Sequence, residues 1–189
     1  MKQSMSESPV KSMDLLHNYQ DLLARIDVIC REVEAEFGAH LACRAGCDGC
    51  CRHITLFPVE AAALAAALND LPQEEADRIR ARACNASPEG SCPLLENGLC
   101  LLYAARPIIC RTHGLPLLTI LGGERTVDFC PLNFRDISSL PGKAVIDLDR
   151  LNMTLAAINA LFVAKFFTGA PPEKERVTIA EALIRLPRN

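Results

Sequence analysis

Cys43, Cys47, Cys50 and Cys51 fall within nine residues, and Cys92, Cys100, Cys110 and Cys130 follow singly. Two more of the ten cysteines, Cys30 and Cys84, lie outside this pattern. Thiolate sulfur is a soft donor suited to zinc and to iron–sulfur clusters. A structural zinc site takes four ligands, usually as two short-spaced pairs. Cys47 and Cys50 make one such pair, but the later cysteines are too widely separated to make a second. Neighbouring side chains such as those of Cys50 and Cys51 diverge, so two sites or one polynuclear cluster accommodate both more easily than a single tetrahedral ion does. Eight is also twice four, the count for two all-cysteine zinc sites or two iron–sulfur clusters. The eight are the candidate ligands, and the cofactor they imply is iron, as an iron–sulfur cluster, or zinc.

The surroundings of the cysteines suit that chemistry. Gly46 and Gly49 allow a tight turn, or a nest of backbone amides facing an anionic cluster. Arg44, Arg52, His53, Arg106, Arg111 and His113 flank cysteines, and positive charge favours the thiolate that binds metal. His53 and His113 are alternative ligands, although supporting roles suit them better while cysteines are in surplus. Proline follows Cys92 and Cys130, as it follows ligating cysteines in ferredoxin-type runs.

Composition narrows the remaining choices. The chain has 189 residues, half of them hydrophobic, which is enough for one domain with a buried core. A net charge of −3 and the absence of Trp argue against nucleic acid as a partner and against acidic membranes. The N-terminal residues lack the apolar run of a signal peptide, and no later segment is apolar for long enough to span a bilayer. The default address is therefore cytoplasmic. Thiols stay reduced there, and a dense cysteine pattern reads as metal or catalysis rather than as a disulfide scaffold.

The elements that must position the cysteines are mostly helical. Leu15, Tyr19, Leu22, Ile26, Ile29, Val33 and Phe37 form one apolar stripe, with Ser12 as a candidate N-cap and Gly38 as the stop. Cys30 lies beside that stripe as a small core residue. The stripe suits packing on its own domain better than a dimer seam, and the oligomeric state stays open. Pro58 opens a second, alanine-rich helix to about Asn69, and a third runs over 73–84. Asn97-Gly98 marks one hairpin, bringing Cys92 and Cys100 towards neighbouring strand ends, and Gly122-Gly123 marks another that delivers Cys130. A helical turn at Tyr103–Arg106 is cut by Pro107 ahead of Cys110. A long helix of about 149–167, capped by Asp147 or Asp149, carries Leu151, Leu155, Ile158, Phe162 and Phe166. Thr168 to Glu175 reads as a linker, and a short helix near 178–186 closes the chain. The expected fold class is mainly α: a small irregular helical domain with two short β-hairpins around a cysteine-lined metal site. The expected organisation is a flexible N-terminus over 1–11, a metal-binding domain over 12–168 with its core motif at 40–135, and a linker and short helix over 169–189.

The string Cys43-x3-Cys47-x2-Cys50-Cys51, then Cys92-Pro93-x-Leu95, then Cys100-x2-Tyr103-x2-Arg106-Pro107-x2-Cys110-Arg111 resembles the YkgJ-type cysteine-cluster family of bacteria and archaea, also known as the CxxCxxCC zinc- or iron-chelating domain. The first gap is three residues here, where the family's name implies two. The resemblance implies metal chelation, with zinc or iron as the metal. Two other resemblances fall away. Radical-SAM enzymes share the spacing of the first three cysteines but set it in a β/α barrel, and no βαβ alternation is legible. Flagellin lysine-N-methylases are associated with a similar cysteine pattern, but no G-x-G-x-x-G nucleotide loop is present.

Beside their part in the motif, Tyr103 is expected to pack its ring into the small core near the hairpin, and Arg106 to donate to sulfur, backbone or a carboxylate. The leading expectation is a metal-binding protein using all eight cysteines. The alternatives are a zinc-stabilised module that binds a protein partner, a redox or modifying enzyme with an open metal position or a nucleophilic thiolate, and a labile metal carrier.

Overall fold

The computed structural model describes residues 10–167 and 172–185. Its chain order is α1 (Val10–Phe37), β1 (Thr55–Leu56), α2 (Pro58–Asn69), α3 (Gln73–Cys84), β2 (Leu95–Glu96), β3 (Leu99–Cys100), α4 (Ile108–Thr112), β4 (Leu117–Leu121), β5 (Glu124–Asp128), β6 (Ile146–Asp147), α5 (Leu148–Phe166), β7 (Val177–Thr178) and α6 (Ile179–Arg185). The fold is mainly α, with short strands in small sheets. Among the described residues no helix is long and apolar enough to cross a membrane.

Two hydrophobic cores divide the molecule. The first is built by α1, α4, α5 and the sheet β5–β4–β6, around Tyr19, Ile26, Val33, Phe37, Ile108, Phe134 and Leu155. The second is built by α2, α3, α6 and the β2–β3 hairpin, around Leu56, Leu64, Leu68, Ile79, Leu94, Leu102 and Leu183. Helix α2 lies between them. Its alanines allow close approach on several sides, so that Val59 joins the first core while Ala61 and Leu64 join the second. The first three helices and both hairpins lie where the periodicity and the turn residues place them. Asn97 and Gly98 have φ of 51° and 77°, and Gly122 and Gly123 have φ of 60° and 89°. Two central residues with positive φ match the right-handed twist of paired strands.

Several details differ from the sequence reading. Helix α1 begins at Val10, so Ser12 lies inside it and residues 10 and 11 are helical. The rest of the loose segment expected over 1–11 lies outside the described residues, as do residues 168–171 of the expected linker. The buried stripe of α1 runs through Leu16, Tyr19, Leu22, Ile26, Cys30, Val33 and Phe37, while Ile29 is 39% exposed. Over so long a helix two neighbouring faces both satisfy spacings of three and four, and the packed one turns out to be that of Cys30. Strand β6, parallel to β4, and the antiparallel pair β1–β7 were not legible, since two-residue strands carry no periodicity. Asp147 caps α5 by accepting from the Arg150 amide at 2.9 Å. Within the expected α5 stripe, Leu151, Leu155 and Phe162 are buried, Ile158 is half-buried and Phe166 is exposed. Helix α6 docks on α2 and α3 and contributes Ile179, Ala182 and Leu183 to the second core.

Candidate metal centre

The cysteine-rich segment is a coil shaped by two consecutive turns. The amide of Cys47 donates to the carbonyl of Arg44 at 3.0 Å, and that of Cys51 to Asp48 at 2.8 Å. Gly46, with φ of 88°, occupies the third position of the first turn, where only a residue tolerant of positive φ fits. The hairpin tip lies against this coil: a Cβ on Gly98 would stand 3.2 Å from the Gly46 Cα.

On one side of the coil, residues 51–52 run beside residues 91–92. Arg52 and Ser91 form an antiparallel bridge, and the Cys92 amide donates to the Cys51 carbonyl at 3.0 Å. The hairpin pairs Leu95 with Cys100, and Cys92 and Cys100 both pack against the second core. Helix α4 starts after Pro107 and carries Cys110. Three contacts seat it: Glu60 accepts from the Ile108 amide at 3.3 Å, Arg106 donates to the Cys110 carbonyl at 3.2 Å, and Arg111 grips both carboxylate oxygens of Asp27 on α1 at 2.7 and 2.8 Å.

On the other side, Cys43 faces the segment after β5. The Cys130 amide donates to the Gly114 carbonyl at 3.3 Å. A Cβ on Gly114 would stand 3.0 Å from the Cys43 sulfur and 3.5 Å from the Cys130 Cβ. Asn133, 1% exposed, joins these pieces. Its Oδ1 accepts from the Ala42 amide at 2.8 Å, and its Nδ2 donates to the Gly114 carbonyl at 2.7 Å and to the Cys43 sulfur at 3.4 Å.

Electrostatic neighbours link all eight candidate cysteines. Cys43 interacts with Cys130, Cys47 and Cys50. Cys50 interacts with Cys51 and Cys47, and Cys51 with Cys100. Cys92 interacts with Cys100 and Cys51, and Cys110 with Cys92, Cys100 and Cys51. Burial pushes the Cys110 thiol up to about 12 and the Cys92 thiol up to about 11, and neighbouring thiols add to both shifts. Burial also raises Cys43, Cys50, Cys51 and Cys100. The sequence reading, which expected the flanking cations to favour the thiolates, is corrected here. Arg106 does act in that direction on Cys100 and Cys110, but burial outweighs it, and Arg111 is already committed to Asp27.

Cys30 and Cys84 are not members of this group. Cys30 is buried in the first core, where burial and the acidic Glu34 and Asp27 raise its thiol to about 11, and Cys84 is exposed at the end of α3. Neither histidine joins the group. Nδ1 of His53 bonds the Ser87 carbonyl at 2.8 Å, and Nε2 accepts from the Ala180 amide at 3.2 Å, so both ring nitrogens are in use. His113 is exposed. Tyr103 is 63% exposed rather than packed in a small core. Its ring instead supports the Arg106 guanidinium, 3.6 Å from its centroid, and Arg106 donates only to backbone carbonyls. Asn133, Gly114 and Glu60 carry no motif signal, because their roles depend on contacts between distant segments.

As they stand, no three His, Cys, Asp or Glu side chains among the described residues form a group that could hold a metal ion. The donors themselves are of the soft, all-sulfur type that zinc and iron–sulfur clusters take, drawn from the coil, the hairpin, α4 and the segment after β5. Residues 42–130 match the model of a family described as CxxCxxCC, putative zinc- or iron-chelating domain. Over that stretch, just under half of its 189 residues, the chain is similar to this family. The match begins one residue before Cys43 and ends on Cys130, so it takes in all eight candidate cysteines and leaves out Cys30. No curated protein and no solved structure matches the chain.

Proposed function

We propose that the chain binds iron, as an iron–sulfur cluster, through Cys43, Cys47, Cys50, Cys51, Cys92, Cys100, Cys110 and Cys130. The observation that carries this reading is the chain of thiol neighbours. It takes in every cysteine of the motif, drawn from separate segments, and leaves out Cys30 and Cys84. An all-sulfur donor set is the set that iron–sulfur clusters use, and adjacent Cys50 and Cys51 suit polynuclear ligation. A bound cluster would supply one-electron chemistry or structural cross-linking. The protein's own contribution is to set the sulfurs: the hairpin fixes Cys92 and Cys100, α4 fixes Cys110, and Asn133 donates to Cys43. Residues 43–50 of the coil are exposed, so this is the segment free to close on the metal. Closure displaces protons from the raised thiols, so affinity increases with pH.

The test is the iron, zinc and acid-labile sulfide content of protein purified without oxygen, read beside its visible spectrum. Iron and sulfide together, with a brown chromophore, are expected. Stoichiometric zinc without sulfide would retire the iron–sulfur reading and leave a zinc-held domain. Protein free of any metal would overturn the ligand role of the cysteines.

A further inference from the structure

We infer that Cys51 and Cys92 are an oxidisable pair, which peroxide joins in a disulfide that fastens the cysteine-rich coil to the segment leading into the β2–β3 hairpin. Backbone register carries the inference. Arg52 and Ser91 form an antiparallel bridge. On one side of it the His53 amide donates to the Gly90 carbonyl at 3.2 Å, and on the other the Cys92 amide donates to the Cys51 carbonyl at 3.0 Å. This register sets Cys51 directly opposite Cys92. Opposite residues of an antiparallel pair share one face, and at a hydrogen-bonded position their Cα atoms lie about 5.5 Å apart. That falls within the window of roughly 4.4–6.8 Å over which disulfides close. Both residues are half-buried rather than sealed in a core, so a molecule the size of peroxide has access to them.

Other pairings are less well placed. Cys100 faces Leu95 across the hairpin, and no strand pairing among the described residues sets two cysteines opposite each other. Cys47 and Cys50 belong to successive turns of the exposed coil. The Cys50 thiol does reach Cys51, to whose sulfur it donates. The Cα atoms of adjacent residues, however, are only about 3.8 Å apart, short of the disulfide window. In the first step the Cys51 sulfur attacks one oxygen of hydrogen peroxide, the O–O bond breaks, and the thiol proton leaves in a molecule of water. The Cys92 sulfur then attacks the resulting sulfenic acid. The S–S bond forms, the S–O bond breaks, and a second water carries off the Cys92 proton. Two thiols are oxidised and one peroxide is reduced. Since both cysteines are candidate ligands, oxidation withdraws two sulfurs from a metal; that consequence rests on the ligand reading, whereas the disulfide itself does not.

The test uses the full chain, stripped of metal and freed of reductant. It is treated with hydrogen peroxide, the remaining thiols are alkylated, and the tryptic fragments are sequenced by mass spectrometry. A link between fragments 45–52 and 83–111 is expected, located at Cys51 and Cys92. The same link should persist in Cys50→Ser and in Cys100→Ser and disappear in Cys51→Ser. A disulfide closed within fragment 45–52, a link that survives Cys51→Ser, or a wild-type chain that peroxide leaves fully reduced would overturn the pair. Zn2+ binding to the same samples keeps the two readings apart. The oxidised chain should bind less Zn2+ than the reduced one and recover on reduction with dithiothreitol. Equal binding with the link in place would overturn the ligand role of Cys51 and Cys92 and leave the oxidisable pair standing.

Discussion

Cys43, Cys47 and Cys50 are exposed on a coil shaped by two turns, whereas Cys51, Cys92, Cys100 and Cys110 are half-buried, three of them on a hairpin, the segment leading into it and a helix. One half of the candidate cysteines is therefore set by packing, and the other is held by a few polar contacts centred on Asn133. Local stability follows the number of buried contacts, so the two halves should differ in how strongly they hold metal and in how a substitution nearby is felt. A burial-built half fails by unfolding; a hydrogen-bond-built half fails by loosening while the fold persists.

The largest effect is expected where the packed half meets both cores. Glu60 is 3% exposed and accepts from the Phe57 amide at 3.1 Å as well as from that of Ile108 at the start of α4. Glu60→Ala strands two backbone donors in the interior, at a cost of about 3 kcal/mol in a denaturant midpoint measurement. Burial raises the Glu60 carboxyl above its ordinary value, against the amides of Phe57 and Ile108 and the charge of Arg176. A raised folded-state pKa means stability that is fully present below the unfolded value and lost as pH rises through the folded one. Wild type should therefore gain on Glu60→Gln as the pH is lowered from neutral towards the ordinary carboxylate range. A difference that does not change with pH would show that the carboxyl titrates as it does in water.

Gly114→Ala strikes the other half. At φ of 89° a side chain is strained wherever it points, and here its Cβ would press on the Cys43 sulfur at 3.0 Å. The expected cost is about 2 kcal/mol, accompanied by faster removal of metal by a chelator. Gly98→Ala also meets a positive φ and a close approach, at 3.2 Å to Gly46, but its neighbour lies in the coil, which can give way. Its effect on chelator extraction should be the smaller of the two.

The same contrast decides how much could be read from sequence. The hairpins were legible because Asn97-Gly98 and Gly122-Gly123 are local signals, and the eight cysteines because thiol spacing is a signal in itself. The choice of Cys30 over Ile29 for the buried face of α1 was not legible, since both satisfy helical periodicity and only the partner surface selects one. Asn133 was invisible for a similar reason: its importance lies in Ala42, Cys43 and Gly114, all far away in the chain. Sequence spacing picked out candidate ligands; it expected the side chains of Cys50 and Cys51 to diverge, whereas the two thiols lie close enough to share a hydrogen bond.

Asn133→Ala removes a donor to the Cys43 sulfur, leaves the Ala42 amide without its side-chain acceptor and leaves the Gly114 carbonyl with the Cys130 amide alone, for a loss of about 2 kcal/mol. Asn133→Asp is the finer probe. It keeps the acceptor for Ala42 but puts negative charge where Nδ2 now donates, which raises the Cys43 thiol further and weakens metal at this half first. Equal metal loss from both halves in the Asp variant would mean that they are not independently held.

The smallest effects belong to the two cysteines outside the group. Cys30 fills a place in the first core at 6% exposure, so Cys30→Ala should cost about 1 kcal/mol through the small cavity it leaves. Its metal content should nevertheless equal that of the wild type. Cys84 is exposed at the last position of α3, and Cys84→Ala should stay within about 0.5 kcal/mol of the wild type, as surface changes usually do. Cys110→Ala and Cys47→Ala, by contrast, should each lose metal. The Cys30 variant is the sharper control, because burial and the nearby Glu34 and Asp27, with no other thiol, raise its thiol to about the same value as that of Cys92. Retention of metal by the first and its loss on Cys92→Ala would separate position in the group from mere burial. Equal loss in the two would break the distinction between the site and the core on which the ligand assignment depends.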